Sequence, residues 1–268
     1  MEKRLGVIAG SGESPAFIQD RARELGYLCV TAAIRGEAEP ALHPAGGILS
    51  WFQVTNVAPI IRYFKSHGIR QAVFAGKIDP RNIYPAKSRG NVLIKMLEKG
   101  RDRSPETVIR MAMDYFARKG ISFISPEPFL SPLMCPEGPL TKKRPTAAVT
   151  ADIAWGWERA RRLADADIGQ CLIVKAKAVV AVEGMEGTDA VILRGGELAG
   201  PGCVAIKVAR SRQDPRVDLP AVGLDTVRSL VTAGGAALCF EAGRMPFFQK
   251  EAAVALADQH RISISARP

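Results

Sequence analysis

Short apolar runs alternate with stretches of helical spacing along the first half of the chain. The apolar runs at residues 4–9, 27–34 and 71–78 predict buried strands, and residues 58–67 and 106–118 predict amphipathic helices. Strands that alternate with helices build a parallel sheet with helices on both faces. The pattern therefore predicts a Rossmann-like domain in this half.

Turn and capping residues divide this half further. Ser14 is predicted to cap the first helix, with Pro15 in its first turn and Gly26 at its end. A further helix is predicted at residues 91–98 and a returning strand at 121–125. These elements complete the alternation of strand and helix.

Proline marks the boundary between two predicted domains. Six prolines fall within residues 126–145, a density that neither a helix interior nor a central strand tolerates. We therefore predict a Rossmann-like domain at residues 1–128, a proline-rich linker at 129–148 and a catalytic α/β domain at 149–268.

The second half combines a hairpin with separate strands and helices. The β-rich runs at 171–174 and 179–182 are close enough along the chain to pair as a hairpin. The other predicted elements are a helix at 152–163, a strand at 202–208, a helix capped by Asp225 or Thr226, a strand at 237–241 and a final helix at 251–259. The predicted fold class is α/β, with an N-terminal parallel sheet and a C-terminal mixed α/β domain.

Charge and cysteine content narrow the function classes. The formal net charge of +10 favours acidic partners, namely phosphorylated metabolites, nucleic acid or an anionic membrane face, without distinguishing among them. The five cysteines are odd in number and widely spaced, which predicts reduced core residues instead of a disulfide or zinc framework. No run of about 18 apolar residues occurs, so we predict a cytoplasmic protein.

A glycine-rich turn, GSGESP at residues 10–15, follows the first strand. Its glycines, Gly10 and Gly12, would leave backbone N–H groups at a helix N-terminus, where an anion is favoured. Pro15 stands where a dinucleotide fingerprint has its third glycine, and Arg35 could instead meet a 2′-phosphate. The alternatives are a nucleotide or other anion site and a plain β–α turn.

Two charged stretches in the second half are candidate catalytic segments. Residues 182–194 gather Glu183, Glu186 and Asp189 around glycines, which suits either a divalent cation or a solvated acidic turn. Residues 207–226 mix arginines with Asp214 and Asp218, which suits either a metal-dependent phosphate site or a surface loop with ion pairs.

Other catalytic classes find little support in the sequence. There is no G-x-S-x-G motif, no cysteine has an evident histidine partner, and the chain has three histidines, of which His67 sits beside a helix-ending glycine. A nucleic-acid-binding module is disfavoured by an aromatic content of 6% and by the lack of a recognisable motif. Phosphoryl chemistry needs no covalent nucleophile, so it fits best.

Six motifs together resemble those of one enzyme family. They are GVIAGSGESP at 6–15, AGKIDP at 75–80, DIGQ at 167–170, VEGMEGTDAVILR at 182–194, RQDPRVDLPAVGLDTV at 212–227 and EAG at 241–243. They resemble the UDP-2,3-diacylglucosamine pyrophosphatase family of lipid A biosynthesis over nearly the whole chain. The resemblance implies a magnesium-dependent hydrolase in which water attacks the α-phosphorus, giving UMP and 2,3-diacylglucosamine 1-phosphate.

The resemblance also implies roles for particular residues. Asp218 would be the essential acid, and Asp189 and Glu186 would complete a site for Mg²⁺ or another divalent cation. Arg216 would act in catalysis and, with Lys207 and Arg194, would hold the diphosphate. The remaining candidate substrate contacts are Gly10, Ser11, Gly12, Gly76, Lys77, Thr188, Gln213 and Thr226.

The resemblance implies partners and a location as well. A substrate with two acyl chains implies peripheral contact with the cytoplasmic face of the inner membrane. No nucleic-acid partner is expected, and a homodimer is left open. The alternative function is an NADP-binding oxidoreductase that uses Gly10, Gly12 and Arg35. That alternative assigns no task to the charged C-terminal stretches.

Overall fold

The protein divides into two compact units. The computed structural model describes residues 2–43, 47–79, 82 and 105–268, and the helix predicted at 91–98 lies outside this part. Unit 1 consists of Met1–Leu130 and Asp214–Asp218, and unit 2 consists of Ser131–Gln213 and Leu219–Pro268. The segment Asp214–Asp218 thus packs with the N-terminal unit, although it lies within the stretch predicted as the C-terminal domain.

Unit 1 contains a five-stranded sheet. Its strands are β1 (Lys3–Ala9), β2 (Tyr27–Ile34), β3 (Ile48–Phe52), β4 (Gln71–Ala75) and β5 (Ser122–Phe123). Its described helices are α1 (Ser14–Glu24), α2 (Val57–Ser66), α3 (Pro105–Arg118) and α4 (Glu127–Leu130). The strand order is β3-β2-β1-β4-β5, and every pairing is parallel, which confirms the predicted Rossmann-like sheet.

Two details of unit 1 differ from the prediction. Strand β3 was not predicted, because it lies at the sheet edge and its residues are only partly buried, so it lacks a buried apolar run. Ser14 does not cap α1: it is already the first helical residue, and the capping position belongs to Glu13, which makes no side-chain capping bond. The capping prediction for Ser14 was wrong by one residue.

The core of unit 1 joins the sheet to α2 and α3. Phe64 of α2 and Phe116 of α3 are fully buried against apolar strand residues such as Val30. Val217, from the distant segment Asp214–Asp218, is buried in the same cluster. Burial of this valine anchors the segment to unit 1 because apolar area removed from water stabilises the packed position.

Unit 2 contains a six-stranded sheet. Its strands are β6 (Gly138–Pro139), β7 (Cys171–Lys175), β8 (Ala178–Val182), β9 (Val204–Lys207), β10 (Ala237–Glu241) and β11 (Ser263–Arg267). Its helices are α5 (Ala147–Asp165), α6 (Thr188–Ala199), α7 (Leu224–Thr232) and α8 (Lys250–Gln259), with a 3-10 turn at Ser131–Leu133.

The sheet of unit 2 mixes parallel and antiparallel pairs. Its order is β6-β11-β10-β9-β7-β8, with β9, β10 and β11 parallel and β6, β7 and β8 paired antiparallel to their neighbours. The predicted hairpin is β7–β8. The mixed sheet confirms the predicted class of this half, and β6 shows that the proline-rich segment supplies an edge strand.

Alternate residues of the strands face two different helical layers. Leu172 and Ile206 pack with Trp157 of α5 on one face. Ile173 and Phe240 pack on the other face, in the cluster that also contains apolar residues of α6, α7 and α8. Because side chains alternate along a strand, both faces of the sheet are covered. Because β9 and β10 are parallel neighbours, their carboxyl ends lie at the same edge of the sheet.

Several boundaries in unit 2 correct the prediction. Helix α5 begins at Ala147, five residues before the predicted start, because Thr146 caps it by accepting a bond from the Val149 N–H (3.3 Å). Helix α6 and strand β11 were not predicted at all. Helix α7 has Gly223 at its capping position, so the prediction that Asp225 or Thr226 caps it was wrong.

The five cysteines are all buried and free, as predicted for reduced core residues. Burial raises the pKa of the Cys29 and Cys239 thiols to about 11. Both thiols therefore stay protonated near neutral pH. Separately, the helices in the described residues include none with the length and apolar character needed to span a bilayer.

Candidate active site

The glycine-rich turn of unit 1 is closed by backbone pairing. The Gly10 N–H donates to the Ala75 carbonyl (2.8 Å), and Ser11 and Lys77 exchange two bonds, at 2.8 Å and 3.0 Å. A Cβ at Gly76 would lie 2.3 Å from the Ser11 carbonyl oxygen. The structure thus brings together four predicted residues, Gly10, Ser11, Gly76 and Lys77, but it uses the first two N–H groups of the turn for its own backbone.

Gly12 occupies the open side of the same turn. It is exposed and has a φ of +87°, and a Cβ there would meet nothing within 4 Å. It lies two residues before α1, whose first residue is Ser14. Of the three turn residues predicted to bind an anion, Gly12 is the one that faces free space. Arg35, which follows β2, is exposed.

The segment Asp214–Asp218 forms a tight turn in unit 1. The Val217 and Asp218 N–H groups both donate to the Asp214 carbonyl, at 3.0 Å and 3.3 Å. The Asp214 carboxylate accepts two bonds from the Arg216 guanidinium (3.0 and 2.8 Å) and one from Arg110 (3.0 Å). These guanidinium bonds, led by that of Arg216, hold the pKa of the Asp214 carboxyl below its usual range.

The two aspartates of the turn therefore have different surroundings. Asp214 is a turn residue that binds two arginines, which matches the alternative of a loop with ion pairs for this part of the stretch. Asp218 follows the buried Val217 and is exposed. Arg216, predicted to hold the diphosphate, has its fork occupied by Asp214, so it is held in place but is less free for a bidentate phosphate contact.

Unit 2 holds a buried polar chain at the carboxyl end of β9. Lys207 Nζ donates to Thr188 Oγ1 (2.9 Å) and to the Ala221 carbonyl (2.6 Å). Thr188 Oγ1 in turn donates to Glu183 Oε1 (2.8 Å). Lys207 and Thr188 are each 5% exposed and Glu183 is 9% exposed. Lys207 and Thr188, from separate predicted segments, thus come into direct contact, and Thr188 links Lys207 to Glu183, an acid that received no role in the prediction.

The acidic stretch at 182–194 is a strand end, a short loop and a helix, and not the open turn expected. Because Thr188 begins α6, Asp189 lies in the first turn of the helix and Arg194 in its second. Asp189 Oδ1 is buried and has no hydrogen-bond partner among the described residues. A buried acceptor without a partner is costly, so this oxygen is suited to a ligand with positive charge or a donor group.

Glu186 has a different environment from the other two acids. It is exposed, and its carboxylate accepts bonds from Arg194 (2.5 Å) and from the Gly184 N–H (3.0 Å). The Arg194 bond lowers the pKa of Glu186. The predicted metal ligand and the predicted diphosphate contact therefore neutralise each other.

The loop after β9 is fixed by carboxylates of unit 2. Glu241, buried at the end of β10, accepts bonds from the Ala209 N–H (2.9 Å), Arg161 (3.2 Å) and Arg244 (3.3 Å). Asp165 accepts two bonds from Ser211, both 2.7 Å, and the one from its N–H lowers the pKa of Asp165 most. The loop that leads toward Asp214 is thus held rigidly at its start.

The other two predicted contacts in unit 2 have defined places. Gln213 closes a turn with Arg210, whose N–H donates to Gln213 Oε1 (3.1 Å). Thr226 is buried in the first turn of α7.

The three predicted metal ligands belong to different units. Asp218 is part of unit 1, whereas Asp189 and Glu186 are part of unit 2, where Glu186 is bound to Arg194. Within residues 2–43, 47–79, 82 and 105–268, no group of three or more His, Cys, Asp or Glu side chains could hold a metal ion by itself. Among the predicted ligands, Asp189 has a buried oxygen without a hydrogen-bond partner in the described residues, which is one donor that a cation could use.

Two buried acids, Glu183 and Glu241, received no functional role from the sequence. Glu183 was noted in the acidic stretch and Glu241 in the EAG motif, but neither received a role. The available signal was position: each directly follows or ends an apolar strand, Val182 before Glu183 and Phe240 before Glu241. An acid at the end of a buried strand lies at a sheet edge, where ligands bind in open α/β sheets.

Comparison with known proteins gives matches along nearly the whole chain. Residues 4–133 match the model of the LpxI N-terminal domain, and residues 136–265 match that of the LpxI C-terminal domain. The chain is 28% identical over 270 aligned positions to the UDP-2,3-diacylglucosamine pyrophosphatase LpxI of Caulobacter vibrioides (strain ATCC 19089 / CIP 103742 / CB 15), covering 96% of this chain and 94% of that protein.

A solved structure is also similar, at a lower level. CobK precorrin-6A reductase aligns with 99% of this chain and 88% of its own, at 11% identity and a TM-score of 0.34. A similarity this weak supports no inference about this chain. The two domain matches, by contrast, follow one another in the expected order and leave few residues uncovered. The chain belongs to the LpxI family.

Proposed function

We propose that this protein hydrolyses UDP-2,3-diacylglucosamine by attack of water on the α-phosphorus, giving UMP and 2,3-diacylglucosamine 1-phosphate. The observation that carries the proposal is the match over 96% of the chain to a protein named for this pyrophosphatase activity. Family membership supports a hydrolase of this kind and does not support the NADP-dependent oxidoreductase considered as the alternative.

The chemistry of the described residues is compatible with this reaction. Hydrolysis of a phosphoric anhydride needs a positioned water and fixed positive charge, and it needs no covalent nucleophile. The ammonium of Lys207, held at the carboxyl end of β9 by two hydrogen bonds, is a fixed cation of this type. We propose that it binds a phosphoryl oxygen of the substrate.

Asp218 is the proposed acid that orients the attacking water. It is exposed at the end of a turn that Asp214 and the buried Val217 fix in place. An exposed carboxylate on a rigid turn can accept a hydrogen bond from water without a large desolvation cost. This proposal gives Asp218 the role of essential acid that the resemblance implied.

We further propose that the reaction requires Mg²⁺. The supporting observation is the buried Asp189 oxygen without a hydrogen-bond partner among the described residues. When bound, Mg²⁺ supplies charge neutralisation at phosphoryl oxygens. Loss of turnover after treatment with EDTA, restored by added Mg²⁺, is expected, and full turnover in EDTA would contradict the requirement.

Contact with a membrane surface is proposed on the basis of the substrate and of exposed apolar residues. Met185 and Ile168, in the loops that flank β8 and β7, are 72% and 54% exposed. A substrate with two acyl chains resides in a bilayer, and such residues can insert at its interface. Sedimentation with phosphatidylglycerol vesicles should be stronger for the native protein than for Met185→Asp, and equal sedimentation of the two would contradict this contact. A homodimer stays a prediction.

The reaction itself is tested with isotopic water. Incubation with UDP-2,3-diacylglucosamine and Mg²⁺ in H₂¹⁸O should place the label in UMP. Label in the lipid phosphate would contradict attack on the α-phosphorus, and the absence of any product would overturn the proposed function.

The role of Asp218 is tested with a matched pair of variants. Asp218→Ala should lower kcat by about 100-fold or more, as expected when a group that positions the reacting water is lost. Asp225→Ala removes an exposed acid that pairs only locally, with Arg228 at 2.8 Å, and should retain native kcat. Native turnover by Asp218→Ala would remove the role of Asp218 but not the function.

A further inference from the structure

Glu183 is the buried acid at the end of the polar chain in unit 2. Its two carboxylate oxygens have separate partners: Oε1 accepts the Thr188 hydroxyl (2.8 Å) and Oε2 accepts the Gln170 N–H (2.9 Å). Its own N–H donates to the Cys171 carbonyl (2.9 Å). The carboxylate is therefore fixed by the backbone at the edge of the hairpin.

The backbone beside Glu183 leaves little room for movement. A Cβ at Gly169 would lie 2.0 Å from the Glu183 carbonyl oxygen, so the DIGQ segment packs directly against this residue. A glycine here permits the close approach that places the Gln170 N–H on the carboxylate. The main chain at Gly169 and Gln170 thus holds Glu183 in place.

The order of donors along the chain is determined by chemistry. The ammonium of Lys207 can only donate, and an ionised carboxylate such as that of Glu183 can only accept. The Thr188 hydroxyl, which lies between them, must then accept from Lys207 (2.9 Å) and donate to Glu183 (2.8 Å). Glu183 therefore sets the direction of the hydroxyl, and the hydroxyl presents a lone pair to the ammonium.

We infer that Glu183 is a positioning residue for Lys207, an inference that rests on the proposed function. Through Thr188 it holds the Lys207 ammonium at the carboxyl end of β9, where that charge is proposed to bind a phosphoryl oxygen. A charge that is already in place needs no reorganisation during the reaction, which is how fixed groups lower a barrier. Glu183 does not itself contact the substrate in this scheme.

The test is the isosteric change Glu183→Gln. If the amide oxygen keeps the Gln170 N–H, the amide nitrogen faces Thr188 Oγ1, which then meets two donors, because Lys207 already donates to it. The hydroxyl loses the acceptor that oriented its proton, so its lone pair is no longer directed at Lys207, and the ammonium keeps its bond to the Ala221 carbonyl but is held less firmly. We expect kcat to fall roughly tenfold, as for one lost hydrogen bond, with KM within about twofold of native.

Asp152→Asn is the matched control. Asp152 is also buried and also accepts two backbone N–H bonds, from Ala176 (2.9 Å) and Lys177 (2.7 Å), but it holds the hairpin turn. This variant should lose thermal stability and keep native kcat. An equal loss of kcat in Asp152→Asn and Glu183→Gln would mean that the effect is only structural and would overturn the inference.

A second measurement separates this inference from the proposed function. Protein labelled with ¹³C-lysine should give inequivalent Hε signals for Lys207, assigned by their loss in Lys207→Met, and Glu183→Gln should merge them as the side chain becomes mobile. If the native protein is inactive, the proposed function fails, and the NMR result still decides whether Glu183 positions Lys207. Unchanged Lys207 signals, or a kcat within about twofold of native in an active enzyme, would overturn the inference.

A double variant covers the case in which Glu183→Gln folds poorly. Thr188→Val removes the link between the acid and Lys207, so adding Glu183→Asp to Thr188→Val should change kcat by less than about twofold. In the native background Glu183→Asp, with its shorter side chain, should lower kcat severalfold. Additive effects of the two changes would contradict transmission through Thr188.

Discussion

The strand ends of unit 1 and unit 2 carry different chemistry, although both were predicted to contact the substrate. In unit 1, the loops after β1 and β4 pair through their backbones, and glycine at position 76 permits the contact. In unit 2, the ends of β8 and β9 enclose charged side chains, Glu183 and Lys207, joined by Thr188. The same type of position in an α/β sheet thus serves backbone closure in one unit and fixed charge in the other.

This difference teaches how to interpret a glycine motif. Glycines in GSGESP and AGKIDP are consistent with phosphate binding, but their packing accounts for Gly10 and Gly76 without a ligand. Lys207 differs, because it brings a charge into a buried place at a cost that its bonds to Thr188 and the Ala221 carbonyl offset, so its feature is a fixed charge and not backbone closure. We therefore expect changes in unit 1 to affect stability first and changes in unit 2 to affect catalysis first.

The largest effect is expected from Lys207→Met. Removal of a positioned cation at a phosphoryl group should lower kcat/KM by about 1,000-fold, while the apolar stem of the side chain is retained. Lys175→Met is the control, because Lys175 also donates to a backbone carbonyl, that of Ala199 (2.5 Å), and should stay within about twofold of native. Steady-state kinetics would check both. A Lys207→Met enzyme with more than a tenth of native activity would remove the contrast between the two units.

The next effect is expected on stability, from Gly76→Ala. A Cβ there would clash with the Ser11 oxygen at 2.3 Å in a backbone with φ of +82°, so we expect a loss of about 3 kcal/mol in unfolding free energy. Gly12→Ala has a similar φ of +87° but open space, and should lose only about 1 kcal/mol. Urea denaturation measures both. Equal losses would show that backbone conformation, and not closure of the two loops, decides the cost.

A smaller effect, and a pH dependence, is expected from Asp214→Asn. The pKa of Asp214 is lowered chiefly by its bond to Arg216, so its contribution to stability is present above the unfolded-state pKa of about 3.9 and is lost as pH falls through the lower folded-state pKa. The variant should be less stable by about 1 to 2 kcal/mol at pH 7.

The melting temperatures of the native protein and of Asp214→Asn should also be compared at low pH. The difference in melting temperature should shrink steadily as the pH is lowered below about 4. A difference that remains unchanged at pH 3 would contradict the ion-pair origin of the effect. Asp225→Asn, which alters an exposed pair with Arg228, should show little difference at either pH.

The smallest effect is expected from thiol alkylation, and it should be alike in the two units. With the pKa of Cys29 in unit 1 and of Cys239 in unit 2 raised to about 11, roughly one thiol in a thousand is ionised at pH 8. Iodoacetamide should therefore leave activity unchanged over an hour, as mass spectrometry and an activity assay would show. Rapid labelling of Cys29 alone would indicate that unit 1 opens locally.

Much of the fold followed from the sequence because buried strands carry continuous apolar runs. The strands β1, β2, β4, β7, β8 and β10 all lie where such runs occur. The edge strand β3 is only half buried, so its residues carry no such pattern. Helix α6 was hidden by its own glycines and by an acidic first turn, which suggested a loop when taken without tertiary contacts.

The candidate site was less predictable, because it depends on which charges are buried. Within residues 182–194, Glu183 is buried against Thr188 whereas Glu186 is exposed and paired with Arg194. The sequence lists both as glutamates beside glycines and offers no reason to prefer one. Sequence reasoning assigned the metal to Glu186, whereas the structure connects Glu183 to Lys207.

By itself the sequence determined the α/β class, the reduced state of the buried cysteines and the resemblance to one family, because each depends on local patterns or on motifs that are contiguous. Only the tertiary structure decided that Asp214–Asp218 packs with the N-terminal unit, and that Lys207 meets Thr188 and Glu183. The physical reason is that burial and hydrogen bonding join residues far apart in the chain, and the free energy of a charged group depends on those neighbours.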